Sequence, residues 1–301
     1  MTACIIGFPE CREPASRLAG ELDVAFHEAE VRSFPDGESL VRVPETAGTV
    51  LLYRSLDNPN AKLVELILAA STLRENGAQQ IVLIAPYLAY MRQDIAFHPG
   101  EAVSQRVIGA LIAERFDGLV TIDPHLHRIA RLDEAVPGIP ALALSAASVL
   151  ASAIAEGERP LLVGPDSESR QWVQAIADPL SLDVLLGDKQ RHGDRDVDIS
   201  IAGVERAKGR AAVLVDDVIS SGETLIAAAR LLTDAGASSV EALATHCLAD
   251  AQVLARMEAA GIARTRSTDT IQGPTACLPV AALLADAVRK QGWVAPEVAS
   301  P

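Results

Sequence analysis

"VLVDDVISSGETLIAAARLL", residues 213–232, ends an apolar run in two adjacent aspartates, turns through small hydroxylated residues and resumes as an alanine- and leucine-rich segment. The run Val213–Val215 reads as a strand buried on both faces, the kind found in parallel sheets. Gly222 can take a positive φ, and the turn through Ser220, Ser221, Gly222, Glu223 and Thr224 opens onto a helix expected over 224–236. Such a turn gathers backbone N–H donors at the positive end of a helix, a cradle for an anion, and serine and threonine hydroxyls add further donors. Asp216 and Asp217 have no use for the anion itself. Carboxylates suit hydroxyl groups, which donate hydrogen bonds, or Mg²⁺. A phosphate cradle with hydroxyl acceptors a few residues upstream describes a pentose 5-phosphate site. A plain strand followed by a capped helix accounts for the serines but leaves the paired aspartates unexplained.

Outward from this stretch, short apolar runs alternate with longer amphipathic or alanine-rich segments, the pattern of repeated β-α units around parallel sheets. Strands are expected at 4–8, 50–55, 80–87, 119–123, 161–166 and 211–217. Helices are expected at 61–77, 104–116, 145–156, 168–178, 224–236, 249–260 and 278–290. In 61–78 (AKLVELILAASTLRENGA), apolar residues recur three and four apart and Gly77 punctuates the end. The Pro-punctuated stretch 136–146 marks a junction near the midpoint. The fold class is therefore α/β, with one domain over 1–140, a second over 141–290 and a tail over 291–301. Each domain is expected to be a mainly parallel sheet flanked by helices.

A chain of 301 residues is long enough for two domains with cores of their own. Apolar residues make up 49% and charged residues 22%, a globular balance. The net charge of −14 opposes broad binding to nucleic acid or to an anionic membrane, which need a basic footprint. A few local groups can still hold a small phosphorylated ligand. No run nears the roughly 20 apolar residues that cross a bilayer. The start, MTACIIGFPECREP, lacks the basic leader of a signal peptide, so a cytoplasmic setting is expected. Cys4, Cys11, Cys247 and Cys277 contain no CxxC pair and read as buried free thiols.

Ligands of open α/β sheets bind beyond the carboxyl ends of the strands. Four expected strands end in groups suited to chemistry: Asp216 with Asp217, Asp166, Asp123 with His125, and YLAYMRQD (87–94). FPDGE (34–38) is a polar turn with an aromatic lead, although Pro-Asp-Gly by itself suits any surface turn. GDKQRHGD (187–194) carries Lys189 and Arg191 in a chain where positive charge is scarce. Its bland alternative is a solvated hairpin tip.

The opening segment resembles the phosphoribosyl diphosphate (PRPP) loop of type I phosphoribosyltransferases and of PRPP synthetases. FPDGE (34–38), YMRQDIAFHPGEAVS (90–104) and DPHLH (123–127) precede it in this order. Together they make the chain, from about residue 30 to 290, similar to the ribose-phosphate diphosphokinase (PRPP synthetase) family. The likeness is greatest to archaeal-type members, whose metal motif also reads as an acid or amide followed by Pro-His.

The resemblance implies two similar phosphoribosyltransferase-like domains, the first on the ATP side and the second holding ribose 5-phosphate. It implies that Phe34 stacks on adenine, that Asp36 and Glu38 shape the nucleotide site, and that Arg92, Gln93 and Asp94 approach the nucleotide. It places Mg²⁺ at His125 and Asp166, and ribose 5-phosphate at Asp216, Asp217, Ser220, Ser221, Gly222, Glu223 and Thr224. Lys189 and Arg191 match the basic pair of a catalytic loop that closes over the transferring group. His127 has no counterpart in the family, and a His-x-His zinc site would lack further ligands nearby.

The implied reaction moves the diphosphoryl group of ATP to ribose 5-phosphate, with homo-oligomers expected and neither nucleic acid nor membrane as partner. Glu223 stands where the family usually has a small residue, and its side chain is expected to face away from the phosphate. Ser167–Arg170 also depart from the family's turn. Three alternatives remain: a phosphoribosyltransferase, which leaves FPDGE unexplained; a non-catalytic regulatory paralogue, which leaves Lys189, Arg191, His125 and Asp166 unexplained; and a diphosphokinase for another sugar phosphate.

Overall fold

The structure, a computed structural model, describes residues 3–294 except 127, 130, 156 and 192–196, and at 189–191, 197 and 198 the backbone alone. The chain divides into two compact units, one running to Ser145 and resuming at Val280, the other Ala146–Pro279. The first comprises β1 (Ala3–Gly7), α1 (Arg12–Leu22), β2 (Ala25–Glu28), β3 (Glu30–Ser33), β4 (Ser39–Arg42), β5 (Gly48–Tyr53), α2 (Pro59–Glu75), β6 (Ala78–Ile84), α3 (Ser104–Arg115), β7 (Gly118–Ile122) and β8 (Ala141–Leu144). The second comprises α4 (Ala147–Ala151), β9 (Leu161–Gly164), α5 (Arg170–Leu180), β10 (Val184–Arg191), β11 (Val197–Ile201), β12 (Ala211–Ile219), α6 (Glu223–Asp234), β13 (Ser239–Cys247), α7 (Ala251–Ala259), β14 (Ile262–Thr268) and β15 (Ala276–Leu278). The last helix, α8 (Ala281–Lys290), returns to the first unit.

The first unit is built on a fully parallel sheet in the order β2-β1-β5-β6-β7-β8, with β3 and β4 as a separate antiparallel hairpin. Every residue of β5 and β7 is buried, as expected where both faces of a parallel strand are covered. Ile6, Val50, Leu52, Ile81 and Leu83 from the sheet meet Leu66, Ala69 and Leu73 of α2 in one core. The second sheet runs β11-β10-β9-β12-β13-β14-β15 and is parallel except between β10 and β11. Its core joins Leu161, Val163 and Leu214 to Leu225, Ala228, Ala229 and Leu232 of α6.

The boundary between the units differs from the one expected at residue 140. The stretch 136–146 contains β8, which pairs with β7 from Leu119↔Ala141 to Ile122↔Leu144 and completes the first sheet. Helix α8, expected in the second domain, packs against α1 and β8 through a buried face that includes Leu284, Ala285 and Val288. Trp293, expected in a tail, is buried against Gly118, where a Cβ would come within 2.6 Å of the indole. Three of the four free cysteines are buried as expected, while Cys277 is exposed. Burial pushes the Cys11 thiol up to about 11, a protonated and unreactive side chain at neutral pH.

Candidate active site

In the second unit the chain leaves β9 for β10 on one side and later returns to β12 on the other. The crevice between β9 and β12 is therefore the point where strand order reverses, the place where open α/β sheets bind ligands. Strand β9 ends at Gly164, whereas β12 continues to Ile219, so their pairing stops at Val163↔Leu214. Asp216 and Asp217 stand beyond that last pair, still inside the strand rather than at its end as the sequence suggested. Asp217 is buried and Asp216 partly buried. The Asp217 N–H donates to Asp216 Oδ1 at 3.0 Å. Burial lifts the Asp216 carboxyl well above the usual range, and the neighbouring charges of Asp217 and Asp166 lift it further. Three carboxylates thus share one crevice.

Asp166 follows β9 and closes the next turn: its Oδ1 accepts the N–H groups of Glu168 and Ser169, both at 3.1 Å. Ser169 Oγ donates back to the Asp166 carbonyl at 2.6 Å. Within Ser-Glu-Ser-Arg (167–170), the Ser169 side chain therefore has a local structural role in the turn just before α5.

Past β12, Gly222 adopts φ +74° and caps α6, whose first bond runs from the Ile226 N–H to the Gly222 carbonyl at 2.9 Å. Ser220, Ser221 and Glu223 are exposed and Thr224 partly so. The Glu223 carboxylate is paired with Arg256 of α7. Lys189 and Arg191 lie in β10, opposite Ile199 and Val197 of β11, so the backbone there is a hairpin arm. Their side chains, residues 192–196 and His127 lie outside the described residues.

In the first unit, FPDGE is the tip of the β3–β4 hairpin. The Phe34 N–H donates to the Glu38 carbonyl at 2.7 Å, and the Gly37 N–H to the Phe34 carbonyl at 2.9 Å. Gly37 has φ +92°, the left-handed conformation that closes such a turn, and Asp36 Oδ1 accepts the Glu38 N–H at 3.2 Å. Phe34 is 41% exposed, a large ring held out at the tip, with the Arg32 guanidinium 5.5 Å from its centroid. Arg92 is exposed. Gln93 is engaged locally, donating to the Ile95 carbonyl at 3.1 Å and to Glu101 at 3.2 Å. Asp94 is buried: Oδ1 pairs with Arg128 at 2.6 Å, while Oδ2 has no hydrogen-bond partner among the described residues. It ties the loop after β6 to the segment after β7 that carries the partly buried His125.

Two features escaped the sequence reading. Asn58, Tyr90 and Asp123 have φ of +49°, +65° and +36°, and they follow the carboxyl ends of β5, β6 and β7. Non-glycine residues in that region cost about 1–3 kcal/mol each and concentrate at functional sites. The second feature is the first unit's own reversal point, between β1 and β5, which is filled rather than open. Arg54, 4% exposed, pairs with Glu10 at 2.7 Å and Glu65 at 2.6 Å and donates to the Lys62 carbonyl at 3.3 Å. Its guanidinium lies 3.8 Å from the centroid of the Phe8 ring. Glu65 also accepts from Ser39 Oγ of β4 at 2.8 Å, which fastens the Phe34 hairpin to α2. The available signal was one arginine ending the apolar run VLLYRS.

Among the described residues, no group of three or more His, Cys, Asp or Glu side chains is arranged to hold a metal ion by itself. No described helix is long and apolar enough to cross a membrane.

A family model for the N-terminal domain of ribose phosphate pyrophosphokinase matches residues 3–115, and one for the phosphoribosyl transferase domain matches residues 135–277. The ribose-phosphate pyrophosphokinase of Methanopyrus kandleri is 37% identical over 277 residues, 90% of this chain and 94% of its own. The chain belongs to the ribose-phosphate pyrophosphokinase family. A second archaeal member, from Methanothermobacter thermautotrophicus, is 31% identical over 288 residues, 95% of this chain and 99% of its own. The crystal structure of phosphoribosylpyrophosphate synthetase from Mycobacterium smegmatis superposes with a TM-score of 0.83 at 27% identity, covering 97% of this chain and 99% of that one. Two phosphoribosyltransferase-like α/β domains with mainly parallel sheets, expected from the motifs, are thus the family's architecture and this chain's.

Proposed function

We propose that the chain is a ribose-phosphate diphosphokinase, transferring the β,γ-diphosphoryl group of ATP to the 1-hydroxyl of ribose 5-phosphate to give PRPP and AMP. The observation that carries this reading is near-full-length likeness to ribose-phosphate pyrophosphokinases in a chain that keeps paired aspartates before an anion-cradling turn. The 1-hydroxyl oxygen forms a bond to the β-phosphorus, the bond from that phosphorus to the bridging oxygen of AMP breaks, and the hydroxyl proton is released. Transfers of this kind depend on positioning and charge stabilisation more than on a covalent nucleophile.

In this reading Asp216 and Asp217 accept hydrogen bonds from the 2- and 3-hydroxyls, and the amides and hydroxyls of Ser220–Thr224 hold the 5-phosphate. Phe34 offers its exposed ring to adenine, and Asp36 and Glu38 shape the edge of that site. Arg92 offers a fork of donors to the polyphosphate. Gln93 and Asp94 support it indirectly, since both are engaged within the protein. Lys189 and Arg191 neutralise charge that moves toward the leaving AMP.

The carboxylate crowding that lifts Asp216 is an environment that a divalent cation relieves, and Mg²⁺ prefers oxygen ligands while keeping several waters. His125 of the first unit and Asp166 of the second are the residues that would each offer Mg²⁺ a ligand, and a bound ion would neutralise phosphate charge. Exposed Val64 and Leu68 on α2 and Val107 on α3 support self-association into a dimer or larger assembly. The deciding assay incubates the chain with ribose 5-phosphate, ATP and Mg²⁺. AMP and PRPP are expected in equal amounts, and ATP consumption without PRPP would refute the assignment.

A further inference from the structure

We infer that Arg256 is a positioning residue for the phosphate-holding turn, acting as counter-ion to Glu223 and as anchor for the Ser221 carbonyl; this rests on the ribose 5-phosphate reading of that turn. Glu223 opens α6, where a carboxylate is favourable for the helix. It is unfavourable for the turn's task, because a negative side chain beside the amides meant for a phosphate repels that ligand. The Arg256 side chain answers this. Its Nη2 pairs with Glu223 Oε1 and donates to the Ser221 carbonyl at 3.3 Å. Both charged groups are about half exposed, at 47% and 46%, so the pair adds little to folding stability. Its effect lies in where it puts a charge and a peptide plane.

The described peptide bonds are all trans, and in a trans peptide the C=O and the following N–H point in opposite directions. A Ser221 carbonyl turned toward α7 therefore sends the Gly222 N–H to the opposite side of the turn, away from that helix. Gly222 itself presses on the same helix: a Cβ there would lie 3.1 Å from both Val253 and Met257. Val253, Arg256 and Met257 share one face of α7 by their spacing of three and four residues. Asp250 caps the start of that helix, accepting the Val253 N–H at 2.8 Å. One helix face thus fixes three consecutive points of the turn: the Ser221 carbonyl, the Gly222 backbone and the Glu223 carboxylate.

The test is calorimetric titration of ribose 5-phosphate into the full-length parent, Arg256→Ala, Arg256→Lys and the double variant Glu223→Gln with Arg256→Ala, at low and moderate salt. Arg256→Ala should bind the sugar phosphate about tenfold more weakly at low salt, and the gap should narrow as salt screens the exposed charge. Its ATP affinity and its unfolding curve should match the parent's. Arg256→Lys should stay close to the parent, and Glu223→Gln should restore most of what Arg256→Ala loses. Parent-like binding by Arg256→Ala, an equal loss of ATP affinity, or no restoration in the double variant would overturn the inference. A parent chain that fails to bind ribose 5-phosphate overturns the functional reading itself, a result visible before any substitution is made.

Discussion

Arg54→Ala is the perturbation whose size the structure defines best. The guanidinium is 4% exposed and has two carboxylate partners, so its removal strands charge rather than merely deleting a contact. Glu10, with a side chain 38% exposed, can recover water. Glu65, at 7%, cannot, and keeps only the Ser39 hydroxyl. Breaking a buried pair from one side costs about 3–5 kcal/mol, and losing the cation over Phe8 about 1 kcal/mol more. For a unit of this size each kcal/mol moves the melting temperature by roughly 2–4 °C, so the combined loss is expected to lower it by about 15 °C. The two tryptophans allow the units to be read separately, because Trp172 lies in α5 and Trp293 in the first unit. In a Trp172→Phe background, fluorescence follows the first unit alone. Adding Glu65→Gln should recover about half of the loss, since the stranded charge is then gone. A loss below about 1 kcal/mol, or no recovery with Glu65→Gln, would show that water reaches this network and that it is not a buried plug.

Four further outcomes are expected. Gly222→Ala forces a side chain into the left-handed region against Val253 and Met257, and should cost about 2 kcal/mol in urea unfolding while raising the KM for ribose 5-phosphate. Asp216 has a raised carboxyl pKa, so its contribution to stability is present at acid pH and lost as pH rises through that raised value. Asp216→Asn should therefore melt higher than the parent above the usual carboxyl range, with the difference closing toward acid pH in a series of melting curves. Lys189→Ala should lower turnover by about 10²-fold in a coupled AMP assay, and intact turnover would remove that residue from the chemistry. Asp217→Asn should weaken ribose 5-phosphate binding with little change in ATP affinity, measured by titration of each ligand.

The parts of this molecule legible in its sequence are those where local chemistry and tertiary role coincide. Val213–Val215, the aspartates and Gly222 announce strand, acceptors and turn because each residue type has few other uses in that order. The FPDGE turn was equally plain, although the two hairpin strands it joins were not foreseen. Strand β13 was not foreseen, because Glu241, Thr245 and His246 break its apolar pattern. In the fold, His246 meets Thr270 at 2.8 Å and Thr268 donates to the Thr245 carbonyl at 2.5 Å, so the polar groups are satisfied by a neighbour distant in sequence. Arg54 and Arg256 were missed for a related reason. Each takes its meaning from carboxylates 11 to 44 residues or 33 residues away, which no local pattern reveals. Helix α4 is shorter than its alanine-rich sequence suggested, since composition sets propensity without setting where packing stops.

The return of α8 to the first unit has a consequence for biosynthesis. A ribosome completes all of residues 146–279 before it releases the helix that covers α1 and the indole that covers Gly118. The segment translated first is therefore the one that matures last, its flank bare while the inserted unit already has every residue it needs. A nascent chain arrested short of residue 281 would carry the second unit complete in sequence and the first still lacking its last helix.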